Sequence, residues 1–296
     1  MLSLGVIGLN EGNGHPYSWS AIFNGFNPAR MAECEYPVIP QYLSKRNYPS
    51  EFLAHLGTVT HVWCDNEAQA RKVSAASKIP NVCSKPEDLF IAVDAILLAR
   101  DDYETRRPLA HAAVRSGKPI FIDKPLCVTE KEARDLFQMQ RSDWQIYTCS
   151  SLKYGEWFEL KPEDGLSPEK VERIEAFVPK SWNTYAIHVI EPLLGWFDSN
   201  VTVLDRGIEK GKSAQWIEYR GIKNTRVRVH SDTGVQMPIQ IQYHGGGKSV
   251  VKRIDDPFIA FRESLSEFVR GIAERKRVIP LDDTIKTIRL IEKGLL

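Results

Sequence analysis

The sequence predicts an α/β protein in two domains: a doubly wound parallel sheet over residues 1–150, and an α+β domain with an open, mainly antiparallel sheet over residues 151–296. Three observations predict it. Short apolar β-runs alternate with helix-like segments through the first half, the composition turns polar and breaker-rich just after residue 150, and strand-like runs separated by Gly turns dominate the second half.

Residues 2–9 form the first apolar run and end in glycines, 18–26 read as a helix, and 58–64 are a β-branched and aromatic run closed by Asp65. Residues 67–77 then read as helix, 93–99 as a buried strand, 106–116 as a helix stopped by Gly117, and 119–122 as the next strand. A helix over 129–140 comes next, with Thr129 as N-cap and Glu132 as its capping-box partner, and 145–149 close the sheet. Strand alternating with helix in this way calls for parallel pairing. Residues 151–169 carry Lys-Pro-Glu-Asp-Gly and Leu-Ser-Pro breakers and read as a connection. Strands are expected at 174–178, 201–204, 214–219, 225–230, 237–243 and 249–254, and helices at 257–274 and 282–293.

Composition narrows the function classes. At 296 residues and 43% hydrophobic, the chain can build two cores. Lys plus Arg, at 39, nearly balances Asp plus Glu, at 38, and no basic block stands out. A nucleic-acid or anionic-membrane partner is therefore not expected, and a small molecule is. Five scattered cysteines, Cys34, Cys64, Cys83, Cys127 and Cys149, lack the spacing of a zinc site or a disulfide framework, so reduced thiols and no metal are expected. The first residues lack a basic leader and no run of 18 apolar residues occurs, which predicts a cytoplasmic location.

The first strand-to-helix turn reads Gly5-Val-Ile-Gly8-Leu-Asn10-Glu-Gly12-Asn13-Gly14-His15-Pro16. A dinucleotide-binding Rossmann fold needs glycines here, so that backbone N–H groups approach the pyrophosphate at a helix N-terminus. Counted from Gly8, Asn10 and Asn13 stand at the second and third glycine positions, so the fingerprint is broken. Asp65 ends the second strand, where a carboxylate accepts hydrogen bonds from ribose hydroxyls and repels a 2′-phosphate. That favours NAD, while Arg71 and Lys72, one helical turn on, leave NADP open. Residues 27–57 lengthen the interval between loop and Asp65 and read as an insertion, either a surface elaboration or a cover that packs Tyr36, Tyr42 and Tyr48 over a ligand.

Asp123-Lys124-Pro125 follows the apolar run Ile120-Phe121-Ile122, which sets an ammonium at the carboxyl edge of the sheet, where open α/β folds hold ligands. With Val93-Asp-Ala-Ile-Leu-Leu and His111-Ala-Ala-Val-Arg-Ser-Gly-Lys-Pro upstream, this stretch resembles the Gfo/Idh/MocA oxidoreductases, named for glucose-fructose oxidoreductase and inositol dehydrogenase. The similarity is best over residues 93–132 and extends weakly over the N-terminal fold, the His188 region and the last two helices. It implies a nicotinamide-dependent dehydrogenase or reductase acting on a sugar, a cyclitol or a nucleotide-linked sugar. The family's catalytic lysine carries over onto Lys124, with Asp123 in place of the usual Glu. Its Asp-x-x-x-His pair falls on Thr184-Tyr-Ala-Ile-His188, so His188 matches the general acid/base and Thr184 replaces the aspartate. On a helix, Thr184 and His188 share a face with Glu191.

The chemistry follows from the residue types as well. A histidine takes the proton that hydride departure leaves on a carbinol oxygen, and an ammonium hydrogen-bonds the developing alkoxide. The expected catalytic residues are Lys124, His188 and Thr184. Cofactor contacts are expected from Gly8, Asn10, Gly12, Asn13, Gly14, Asp65, Ala99, Arg100, Asp123 and Lys124, the pair Ala99-Arg100 standing where the family often has Thr-Pro-Asn. Substrate contacts are expected from Lys124, Lys153, Tyr154, Asn183, Thr184 and His188. His188 also has a reading as a hydrogen-bonded core histidine, Trp182 one as plain packing, and His15 one as a cofactor or substrate contact.

Two other functions stay open: a dinucleotide-binding regulatory protein of the same fold without turnover, and NAD-assisted glycoside cleavage. The open sheet of the second domain resembles the surface this family uses to oligomerise, which implies a homodimer or homotetramer.

Overall fold

The computed structural model describes residues 1–208 and 214–295. The chain divides into two compact units, both discontinuous in sequence. Residues 1–123, 134–149 and 258–279 make the first, and 124–133, 150–257 and 280–296 the second. Where the sequence suggests one cut at residue 150, the helix over 257–274 clusters mainly with the first unit instead.

The elements in order are β1 (Leu2–Ile7), α1 (His15–Asn24), α2 (Pro28–Ala32), α3 (Val38–Leu43), β2 (Gly57–Trp63), α4 (Glu67–Ala76), β3 (Asn81–Val82), α5 (Pro86–Ala92), β4 (Ala95–Leu98), α6 (Tyr103–Ser116), β5 (Ile120–Ile122), α7 (Glu130–Gln138) and β6 (Ile146–Tyr147). After these come β7 (Arg173–Pro179), α8 (Trp182–Tyr185), α9 (Ile187–Ile190), β8 (Val203–Ile208), β9 (Ala214–Arg220), β10 (Arg226–Asp232), β11 (Gln240–Gly245), β12 (Lys248–Arg253), α10 (Pro257–Glu274) and α11 (Leu281–Lys293).

In the first unit the sheet runs β3-β2-β1-β4-β5-β6, all parallel. The chain winds outward from β1 to β3, then restarts beside β1 at β4, so the strand order reverses between β1 and β4. Open α/β sheets bind ligands at that switch point, beyond the carboxyl ends of the strands. Strands β4 and β5 are buried along their whole length, as their unbroken apolar sequences require. Helix α1 begins at His15, ahead of the expected residue 18, because Pro16 sits in its first turn, where a missing N–H costs nothing. Inside the 27–57 insertion lie α2 and α3, and Asn27 caps α2 by accepting from the amides of Ala29 and Arg30. Phe121 of β5 meets Tyr147 edge-on at 4.7 Å and lies 5.8 Å from Phe268 of α10, which explains why that late helix belongs to this core.

The second unit holds a sheet in the order β12-β11-β7-β10-β9-β8. Strands β7 and β10 pair in parallel and the other neighbours antiparallel. Along β7, Ile174, Ala176 and Val178 point to one face and are fully buried, while Arg173, Glu175 and Phe177 take the other. Trp182, Ile187, Ile190, Leu290 and Ile291 cover the buried face. Trp182 donates its indole N–H to the Ile291 carbonyl at 2.9 Å, and Tyr219 its hydroxyl to Leu290 at 2.7 Å, which ties α8 and β9 to α11.

Candidate functional site

In the first unit the chain leaves β1 through a tight turn at Gly8. A Cβ there would stand 2.3 Å from Pro16 Cγ and 2.9 Å from the Ala99 carbonyl oxygen, so no other residue fits. Asn13 then donates its amide to Asn10 at 3.1 Å, closing a turn in which Gly12 has φ +77°. The side chain of Asn13 does two further things. Its Oδ1 accepts the His15 amide at 2.9 Å, and its Nδ2 donates to Asp123 Oδ2 at 2.8 Å. His15 Nδ1 lies 2.7 Å from the same oxygen. The His15 ring stacks on Trp19 at 4.9 Å and meets Phe261 edge-on at 5.1 Å. Asp123, buried to 1% exposure, thus anchors the glycine loop to the end of β5, and its carbonyl accepts from the buried Arg106 at 2.8 Å.

The stretch after β4 ties the loop from the other side. Asn10 Nδ2 donates to Asp101 at 2.9 Å and Asn10 Oδ1 accepts the Asp101 amide at 3.2 Å. Arg100, 3% exposed, grips Asp102 with two bonds of 2.7 and 2.9 Å, donates to Thr105 at 2.6 Å, and reaches Asp65 at 2.7 Å. Burial opposes its charge, yet the bonds to Asp102 and Asp65 outweigh that and raise its pKa. Ala99, fully buried, donates its amide to Ile7. From the insertion, Tyr36 donates its hydroxyl to the Asn10 carbonyl at 3.1 Å, and its ring lies where a Cβ on Gly14 would come within 2.6 Å. Burial, then the neighbouring Glu35, push the Tyr36 phenol up to about 12.

These residues bear on whether a dinucleotide fits. Asp65 is half exposed at the end of β2, the place for ribose hydroxyls. At α1 the usual pyrophosphate donors are engaged: the His15 amide on Asn13, the Tyr17 amide on the Gly14 carbonyl at 3.0 Å, and Pro16 has none. The exposed amides of Glu11 and Gly12, at the tip of the turn, have no hydrogen bond among the described residues. The residues present therefore fit the group, the unbonded amides lying in the turn and not in the first turn of α1. In sequence Asn10 and Asn13 read only as broken glycines, and the geometry shows what they do instead.

In the second unit Lys124 is buried, and its Nζ sits 5.3 Å from the centre of the Tyr185 ring. His188 meets the same ring edge-on at 5.0 Å. Ser150 Oγ lies 2.8 Å from His188 Nδ1, and the Ser150 amide donates to Glu191 at 2.5 Å. Glu191 is buried, which pushes its carboxyl up to about 7 against the opposing pull of Lys153 and the Ser150 amide. Residues 182–191 continue helically through Ala186, so Tyr185, His188 and Glu191 succeed one another along the turns.

Thr184 turns away from this group. Its hydroxyl lies 2.6 Å from Ser181 Oγ and also donates back to the Ser181 carbonyl, a local bond at the start of α8. Asn183 is exposed, and half-buried Lys153 lies 5.9 Å from the Tyr154 ring centre. The second unit thus joins Lys124 to His188 through Tyr185, with Ser150 and Glu191 behind His188. The first unit joins Asn13 and Asp123, and Asp65 and Arg100. Ser150 and Tyr185 carry no sequence signal beyond adjacency to the last strand and to the Thr184–His188 pair. Among the described residues no three His, Cys, Asp or Glu side chains are grouped to hold a metal, and no helix is long and apolar enough to cross a membrane.

Residues 34–150 match the family model of the GFO_IDH_MocA oxidoreductases, described as an oxidoreductase family with an NAD-binding Rossmann fold. No curated protein matches the chain. Among solved structures, a dehydrogenase from Clostridium difficile is 15% identical with a TM-score of 0.67, the match covering 99% of this chain and 98% of that one. A putative myo-inositol dehydrogenase from Sinorhizobium meliloti is 12% identical with a TM-score of 0.70, covering 99% and 95%. UDP-N-acetylglucosamine 3-dehydrogenase from Acidithiobacillus ferrooxidans is 13% identical with a TM-score of 0.68, covering 99% and 96%. At such identities these likenesses concern the fold alone. Over residues 34–150, less than half of the chain, the protein is thus similar to the Gfo/Idh/MocA oxidoreductase family.

Proposed function

We propose that the protein is a nicotinamide-dependent oxidoreductase that moves a hydride between the cofactor and a hydroxyl or ketone of a polyhydroxylated, sugar-like substrate, with NAD preferred. The observation that carries this is the Lys124–Tyr185–His188 group, with Ser150 on the imidazole. It supplies an ammonium and an acid/base on one aromatic floor.

Asp65 would take the ribose hydroxyls and the turn at Glu11 and Gly12 the pyrophosphate. When bound, the nicotinamide supplies the hydride acceptor or donor. The protein's own work is proton handling. With Nδ1–H donated to Ser150, the His188 imidazole carries its lone pair on Nε2, the form a base needs, and takes the hydroxyl proton as the carbinol is oxidised. Lys124 hydrogen-bonds the same oxygen and offsets its developing charge. In reduction the imidazolium returns the proton. Glu191, on the Ser150 amide, fixes the residue that holds His188.

Assay of the purified protein with NAD, NADP and their reduced forms across sugars and cyclitols tests this. Turnover abolished in Lys124→Ala and His188→Ala supports it, and absence of both binding and turnover for every dinucleotide would overturn it. The engaged first-turn amides of α1 favour one rival, a dinucleotide-binding regulator without redox chemistry. Tight dinucleotide binding without turnover, unaffected by Lys124→Ala, marks that rival.

We also propose a homodimer or homotetramer formed through the outer face of the second sheet. Phe177 stacks on His230 at 4.5 Å there and Arg228 lies 4.2 Å from the Trp216 ring centre, the aromatic and Arg composition that interfaces favour. Sedimentation equilibrium returning a monomer would refute it. Five cysteines, four of them buried, suit the reducing cytoplasm as the place of action.

A further inference from the structure

His15 opens α1, the end of the first strand-to-helix turn at which dinucleotide folds hold a pyrophosphate. Its ring is held on three sides: Nδ1 lies 2.7 Å from Asp123 Oδ2, Trp19 stacks at 4.9 Å with 13° between the planes, and Phe261 of α10 meets it edge-on at 5.1 Å. Asp123 Oδ2 also takes the Asn13 Nδ2 bond, so it acts as an acceptor and the proton of the His15 contact sits on Nδ1. Nε2 has no hydrogen bond among the described residues, and the side chain keeps 19% of its surface exposed.

The charged group in contact with the ring is the Asp123 carboxylate at the end of β5. Helix α1 brings no other titratable side chain than His15 and Tyr17. On α10, Arg262 beside Phe261 is bonded to Glu263 at 3.0 Å. After β4, Asp101 is held by Asn10 and Asp102 by Arg100, and Glu11 of the turn is exposed. A neutral imidazole with its proton on Nδ1 has only a lone pair at Nε2, which repels a phosphate oxygen. The imidazolium carries N–H on both nitrogens and can donate to one. Its charge meets a carboxylate at Nδ1 and an aromatic face within the ~6 Å reach of a cation–π contact. The first-turn amides of α1 have no such freedom, being bonded within the loop or, at Pro16, lacking a proton.

We propose that the dinucleotide's diphosphate is bound in this chain by the His15 side chain as its imidazolium, so that binding the cofactor takes up a proton. This rests on the reading of the first unit as a dinucleotide site and is independent of hydride transfer. The amides of Glu11 and Gly12 supply neutral donors, and His15 supplies the positive charge.

The test is NAD binding to the full chain by calorimetry from pH 6 to 9, a range over which the diphosphate keeps its charge, and at pH 8 in two buffers of different ionisation enthalpy. The imidazolium is lost as pH rises, so Kd should weaken with pH, approaching tenfold per unit at the alkaline end, and the buffer pair should report uptake of up to one proton per NAD. His15→Asn keeps an N–H for Asp123 where Nδ1 stands and removes Nε2, with His15→Gln as the second variant should the first fail to fold. Either should bind NAD at least tenfold more weakly at pH 6 and lose the slope, in line with a charge-assisted hydrogen bond. A Kd independent of pH without proton uptake, a slope that survives the substitution, or no NAD binding at any pH overturns the proposal. Proton-linked binding without turnover upholds it while counting against hydride transfer, and turnover with pH-independent binding does the reverse.

Discussion

The hydroxyl of Ser150 lies 2.8 Å from Nδ1 of His188, a contact between the residue that opens the 150–257 segment of the second unit and helix α9. In the proposed reaction this contact would favour the tautomer with its proton on Nδ1 and its lone pair on Nε2. Replacing His188 with Ala should lower kcat by roughly 10²–10⁴, the usual worth of a positioned acid/base. Ser150→Ala should cost about tenfold in kcat, in line with one hydrogen bond of about 1–1.5 kcal/mol, with KM little changed. Its pH–rate profile should also move, because the imidazole loses the partner that biases its tautomer. An unaltered profile with lost activity would point to misfolding instead.

Glu191 gives the protein a pH-dependent stability. Its carboxyl rises from 4.5 to about 7 on folding because burial disfavours the charged form. Between those values the folded state holds a proton the unfolded state has released, so stability falls as pH rises from about 4.5 to 7 and then levels off. The loss should reach about 3 kcal/mol at 1.36 kcal/mol per unit. Glu191→Gln keeps an acceptor for the Ser150 amide and should remove this slope. Urea midpoints at pH 5 and pH 8 measure it, and parallel profiles for the two proteins would refute the assignment.

Cofactor choice should turn on Asp65. Its carboxylate repels a 2′-phosphate, yet Arg100 Nη1 stands 2.7 Å away. Asp65→Ser removes the repulsion and leaves the guanidinium in reach, so the NADP-to-NAD ratio of kcat/KM should rise at least tenfold. A ratio that stays put would assign Arg100 wholly to Asp102 and Thr105.

Asp123 holds two side chains of the glycine loop on a single oxygen. Asp123→Ala leaves Asn13 Nδ2 and His15 Nδ1 without it and should destabilise the protein by roughly 2–4 kcal/mol in urea unfolding. Asn13→Ala keeps the His15 Nδ1 contact with Asp123, though it frees the His15 amide, and should cost less. Equal losses would mean the clamp acts through Asn13 alone.

Much of this architecture is legible in the sequence. Unbroken apolar runs such as Ala95–Leu98 and Ile120–Ile122, set between helix-like segments, read as strands buried on both faces and so as parts of a parallel sheet. Lys124 and His188 are marked by the residues around them. Convergence is what the sequence hides. Nothing in periodicity brings Asn13 to Asp123 across 110 residues, or lays Lys180 on the ring that Lys124 uses, because such contacts are chosen by tertiary packing. Thr184 stands at helical spacing to His188, and what the spacing does not show is the local bond of its hydroxyl to Ser181.

The loop clamp also has an evolutionary reading. A glutamate at 123 would push its carboxylate one methylene further into a site already filled by Asn13 and His15. Change at any of the three positions then exposes the other two to selection. Positions 13, 15 and 123 should be inherited together, and homologues that restore glycine at 13 should restore glutamate at 123.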